Sequence, residues 1–193
     1  MSTVAECGYV PGMDALLITG PPASGKSTLA RAAASRLRAA LLDQDVLTGA
    51  LTAIIGDLVG THDLDDPRLG SLTRDARYEA VLATAEDNLR GGTPVVLVAP
   101  FTAERADPSA WQKVRDRLVA AGGRPTLVWL WLPADELLRR LRSRGASRDS
   151  GKLADPAAFA GDELLSPPVV EHIAVDATAD TELQLDDIFS ARP

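Results

Sequence analysis

The segment Gly20-Pro21-Pro22-Ala23-Ser24-Gly25-Lys26-Ser27 fits the pattern G-x-x-x-x-G-K-[ST], with Thr28 directly after it. Such a glycine-bounded loop aims successive backbone N–H groups at one point, and the helix that follows adds the positive end of its dipole. The target of that arrangement is a phosphate chain. Lys26 would neutralise the β and γ oxygens, and the Ser27 hydroxyl would ligate Mg²⁺. Gly20, Pro22, Ala23, Ser24, Gly25, Lys26, Ser27 and Thr28 are therefore the expected nucleotide-binding residues. Lys26 is one of only three lysines in the chain, against seventeen arginines. Two carboxylates, Asp43 and Asp45, and an arginine-rich stretch from Arg139 to Arg148 are the other groups with chemistry to offer.

These residues need elements to hold them. Ala15 to Thr19 is a short apolar run between Gly12 and Gly20, which reads as a buried strand leading into the loop. From Ser27 the period becomes helical, with Leu29, Ala30, Ala33, Ala34 and Leu37 on one face. Ala40 to Leu42 predicts a second strand ending at Asp43-Gln44-Asp45, followed by a helix from Val46 to about Val59. A polar loop is expected from Gly60 to Gly70 and a long helix from Leu72 to Leu89. Pro94 to Val98 is the clearest buried strand. Helix over 108–121, strand over 126–132, helix over 134–141, strand over 173–175 and helix over 182–189 complete the pattern. Strands alternating with helices, without internal repeat or separating linker, predict a single α/β domain spanning 1–193, with a parallel sheet between helical layers.

Composition narrows the class. Of 193 residues, 46% are hydrophobic and 24% charged, an ordinary globular balance, and no apolar run approaches a membrane span. Neither a basic leader nor a disulfide framework is visible with one cysteine, Cys7, so the expected location is cytoplasmic. The net charge of −7, from 27 acidic and 20 basic residues, argues against a nucleic-acid partner. An Asn-Lys-x-Asp base reader, a Ser-Gly-Gly transporter motif and acidic residues closing the third strand are all absent. GTPases, transporter ATPases and hexameric motors are thereby set aside, and small kinases remain.

On the loop, the Asp43/Asp45 pair and the arginine-rich stretch, the chain resembles the small phosphate-loop kinases. That group holds shikimate and gluconate kinases, the kinase domain of polynucleotide kinase, and zeta-toxin-like and chloramphenicol phosphotransferase-like enzymes. The similarity runs over about residues 14–190. It implies a three-layer, nucleoside-monophosphate-kinase-like fold with a five-stranded parallel sheet in order 2-3-1-4-5, an acceptor flap at about 46–75 and a lid at about 142–160. It further implies that Asp45 accepts the proton of an attacking hydroxyl and that Asp43 helps hold Mg²⁺, although the two roles are exchangeable. By the same resemblance Arg144 and Arg148, with Arg140 third, come onto the transferring phosphoryl group from the lid, where developing charge calls for arginine. The expected reaction is ATP-dependent phosphorylation of a hydroxyl on a small molecule, by a monomer or homodimer. Alternatives are a polynucleotide 5′-hydroxyl kinase, a toxin-like nucleotide-sugar kinase, or a nucleotide-dependent binding protein without transfer.

Where related kinases often end the third strand with a metal-assisting Asp, this chain has Val98, which shifts weight onto Ser27 and Asp43. An alternative use for Asp45 is to cap a helix from Val46. Arg139 and Arg142 read as a solvated basic face. Arg74, Arg77, Thr102 and Arg105 fall where the resembling folds place the acceptor cleft. Trp129 and Trp131, two apart on a strand, share a face and are expected to pack against a helix. His62 and His172 lack partners at metal-ligand spacing.

Overall fold

The computed structural model describes residues 12–64, 66–145 and 165–191. Five strands form one parallel sheet: β1 (Met13–Thr19), β2 (Ala40–Asp43), β3 (Val95–Val98), β4 (Gly123–Trp131) and β5 (Ile173–Asp176), in the order β2-β3-β1-β4-β5. β1 lies at the centre, with Leu17 paired to Leu97 on one side and Leu127 on the other. The strand order and the layered architecture agree with the expectation.

Both faces of the sheet are buried, and the alternation of side chains shows how. Leu16 and Ile18, with Val96, Val98, Val128 and Leu130, point into a core closed by α1 (Lys26–Leu37), α6 (Ala134–Arg144) and α7 (Thr181–Ser190). Ala15 and Leu17, with Val95, Leu97 and Leu127, point the other way, onto α3 (Pro67–Arg90) and α5 (Pro108–Ala120). The central strands are therefore continuous apolar runs rather than alternating ones. No helix among the described residues is long and apolar enough to cross a membrane.

Several boundaries differ from the expectation for identifiable reasons. α2 spans Gln44–Val59 and starts two residues early, because the Asp43 side chain accepts from the Asp45 N–H and serves as the N-cap. Asp45 is thus not the cap. α3 begins at Pro67 rather than Leu72, since Asp66 caps it and Pro67 occupies its first turn. A short helix, α4 (Thr102–Ala106), follows β3 where no element was expected. α6 carries on to Arg144, so Arg142 and Arg144 end a helix instead of opening a loop. Arg148 and most of the expected lid lie outside the described residues.

Candidate active site

β1 delivers the chain to Gly20, whose φ of +149° and close approach to the Leu130 carbonyl (a Cβ would sit 2.6 Å from it) leave room only for glycine. Ala23 (φ +61°) and Gly25 (φ +94°) then curl the loop in left-handed conformations before α1 starts at Lys26. Thr28 and Leu29 donate their N–H groups to the Gly25 carbonyl, and the N–H groups ahead of them have no acceptor inside the helix, which is what an anion-binding helix start requires. The Lys26 ammonium donates to the carbonyls of Gly20 (2.9 Å) and Pro21 (2.7 Å). Burial pushes its pKa down to about 8, assisted by the positive charge of Arg144 and opposed by Asp45 and Asp43.

The end of β2 supplies the carboxylates. Asp43 pairs with Val98 across the sheet and accepts from the Ser27 hydroxyl at 2.9 Å through the oxygen not used for capping. A hydroxyl and a carboxylate this close fit Mg²⁺, which takes one or two protein ligands and fills its shell with phosphate oxygens and water. No group of three or more His, Cys, Asp or Glu side chains that could hold a metal ion occurs among the described residues. Asp45, one residue into the first turn of α2, meets Arg77 of α3 at 2.6 Å, and the Arg77 Nε donates to the Thr48 hydroxyl at 3.0 Å.

Two clefts open on either side of the loop. One, of about 470 Å³, is lined by Ala23, Gly25, Thr28, Arg139, Arg140 and Ser143. The second, of about 340 Å³, is lined by Lys26, Asp45, Thr73, Arg74, Arg77, Tyr78 and Thr102 among others. Ser27 and Arg144 belong to both walls. The arrangement separates a space beside the loop and helix α6 from a space beside the carboxylate, with a cation and a hydroxyl at their junction. A family model described as an AAA domain matches residues 16–161.

The chain belongs to this AAA-domain family.

Its fold is that of the small phosphate-loop kinases. A protein of Chloroflexus aurantiacus j-10-fl, solved as a candidate kinase, aligns with a TM-score of 0.67 at 23% identity over 94% of this chain and 96% of its own. A gluconokinase from Sinorhizobium meliloti 1021 aligns at 0.57 and 21% identity, covering 93% and 90%. The APS kinase of Mycobacterium tuberculosis, in complex with AMPPNP and APS, aligns at 0.58 and 18% identity, covering 93% and 97%. Among curated proteins there is no sequence match.

In this AAA-domain chain Asp43, Asp45, Lys26, Ser27, Arg77 and Arg144 come together around the loop. Arg140 lines the first cleft while bound to Glu136 (2.7 Å) and to the Ala177 carbonyl (2.9 Å). Arg139 shares Glu136 and stays exposed. Arg105 is buried: its guanidinium donates to the Ser166 carbonyl and its own carbonyl accepts from the Val169 N–H, which anchors that segment, while its charge reaches Lys26 at the second cleft. Trp129 packs edge-to-face with His172, with ring centroids 5.7 Å apart. His62 pairs with Asp57.

Sequence reasoning missed Gln44, Asp63, Thr73 and Tyr78 in the second cleft. Burial, with the charge of Glu104 behind it, pushes the Tyr78 phenol up to about 12, so it stays protonated and able to donate. Glu104 itself is raised by burial. The only sequence signal for Tyr78 was a polar aromatic on the buried side of a long helix.

Proposed function

We propose that this protein transfers the γ-phosphoryl group of ATP, with Mg²⁺, to a hydroxyl of a small-molecule acceptor. The observation that carries the reading is the pair of clefts meeting at Ser27 and Arg144, one beside the phosphate loop and α6, the other beside a carboxylate. The loop N–H groups and Lys26 hold the phosphates, Lys26 turning from the Gly20 and Pro21 carbonyls toward the anion. Ser27 and Asp43 would hold Mg²⁺, which when bound would supply counter-charge to the phosphates. Asp45, fixed by Arg77, receives the proton of the acceptor hydroxyl and orients its oxygen for in-line attack. Arg144, with Arg148 from the lid, stabilises charge developing on the transferred group.

The likeness to a gluconokinase and an APS kinase supports a small-molecule acceptor, and the net charge of −7 weighs against a polynucleotide. A coupled ADP-release screen over sugars, sugar acids, cyclitols, aminoglycosides, nucleosides and oligonucleotides tests the proposal. Acceptor-dependent ADP release that disappears in Lys26→Ala supports it. Nucleotide binding without release for any acceptor would leave a nucleotide-dependent binding protein instead.

A further inference from the structure

Helix α2 is amphipathic in the wrong direction for a surface helix of a lone domain. Toward the body of the protein it turns Gln44, Thr48, Thr52 and Gly56. The hydroxyls of Thr48 and Thr52 are satisfied by carbonyls one turn back, at 2.7 and 2.9 Å. Toward solvent it turns Val46, Leu47, Leu51, Ile54 and Leu58, with Leu58 81% and Leu51 68% exposed. A helix on a globular surface ordinarily buries its apolar stripe and exposes its polar one. Leu47, Leu51, Ile54 and Leu58 are spaced 4, 3 and 4 residues apart, which is the seam of a two-helix coiled coil. No charged residue lies between Asp45 and Asp57. Other exposed large apolar residues, such as Val119 and Leu183, stand singly on their helices.

We propose that this face of α2 packs, antiparallel and about a two-fold axis, on the same face of a second copy of the chain. The exposed seam, with Ala50 and Ala53 beside it, offers on the order of 500 Å² of apolar surface per protomer, most of the roughly 800 Å² that a stable interface buries on each partner. A patch this size is at the upper end of what monomers leave open. Two copies of a chain with net charge −7 repel at long range, and the uncharged seam is where they approach without juxtaposing carboxylates. An antiparallel crossing sets Leu47 against Leu58 and Leu51 against Ile54 of the other copy. It keeps the two Asp57 side chains at opposite ends, each near the other copy's Asp45, whose charge Arg77 already pairs, whereas a parallel crossing would bring the two Asp57 together. Since Asp43 and Asp45 open this same helix, the pairing also braces the carboxylate end of the second cleft.

Sedimentation velocity of the full chain across the micromolar range tests the proposal. The expected result is a dimer whose dissociation constant rises roughly 30-fold or more in Leu51→Lys. A wild-type chain that stays monomeric throughout overturns it. So does a dimer indifferent to both Leu51→Lys and the milder Leu58→Ser, since its interface must then lie elsewhere. Melting temperature separates the remaining occupant: a monomer destabilised by Leu51→Lys would mean that the chain covers its own seam, which also overturns pairing. In a Cys7→Ser background, a mixture of Leu47→Cys and Leu58→Cys chains should oxidise to the mixed dimer. Leu47→Cys cross-linking to itself would refute the antiparallel register.

Discussion

Arg77 reaches from α3 to Asp45 on α2 and donates to one carboxylate oxygen at 2.6 Å, while its Nε is occupied by Thr48. The guanidinium is largely shielded and the carboxylate is more than half exposed, so the ion pair holds Asp45 in place on the wall of the second cleft. Replacing Arg77 with Met keeps much of the bulk and removes the tether. Turnover should fall roughly 10- to 100-fold through misplacement of the base, with nucleotide affinity little changed. Steady-state kinetics beside a nucleotide titration will show it.

Asp45→Asn removes the charge and keeps the shape. Because Asp43 provides the cap, the melting temperature should stay near wild type while transfer drops by about two orders of magnitude or more. Wild-type turnover in this variant would move the base elsewhere.

Asp43 does two jobs, and two substitutions separate them. Asn can still cap α2, so Asp43→Asn should melt normally yet need more Mg²⁺ for half-maximal rate. Ala loses the cap as well, at about 1 kcal/mol, and should lower the melting temperature by a few degrees. Equal melting curves for the two would contradict the capping role.

Lys26 makes nucleotide binding pH-dependent. Its folded value near 8 lies below the usual 10.5, so the protonated form costs the free protein stability below pH 8, a cost relieved as pH rises from 8 to 10.5. A bound phosphate favours the charged form. Binding near pH 8 should therefore take up about half a proton, and affinity should weaken as pH climbs past 8. Calorimetry in buffers of different ionisation enthalpy measures the uptake; proton release would have the wrong sign.

Arg144→Ala should cost turnover on the order of 10³-fold while changing nucleotide affinity far less. It also removes a positive neighbour of Lys26, so the lysine's pKa should rise and the proton uptake at pH 8 shrink. Only a residue close to both reactants would move the two readouts together.

Local features of this protein were legible in its sequence; the long-range ones were legible only where a pattern forces them. Gly20 to Thr28 is contiguous, so residue order alone specifies the loop. Val95–Val98 and Ala15–Thr19 announce buried parallel strands because both their faces are apolar. Which of Asp43 and Asp45 would cap α2 was a contest between two similar residues two positions apart, decided by a single N–H. Arg77 and Arg105 look alike as isolated arginines, yet one meets a carboxylate 32 positions away and the other a carbonyl 61 positions away. The 4-3-4 spacing of Leu47, Leu51, Ile54 and Leu58 is written in the sequence, but that this face of α2 turns outward is set by its packing on α3.

Ser27 and Arg144 form part of both clefts, and this has a thermodynamic consequence. In the proposed reaction the ligand in either cleft contacts two side chains that the other ligand also contacts, so the two occupancies are energetically linked. Each substrate should then tighten the other by the same factor, as a closed binding cycle demands. On the proposed reaction, the ternary state would then be more stable than the two separate occupancies predict. If the protein acts as proposed, water entering the second cleft in place of an acceptor would make fewer contacts with Arg144, so the shared wall would disfavour idle hydrolysis.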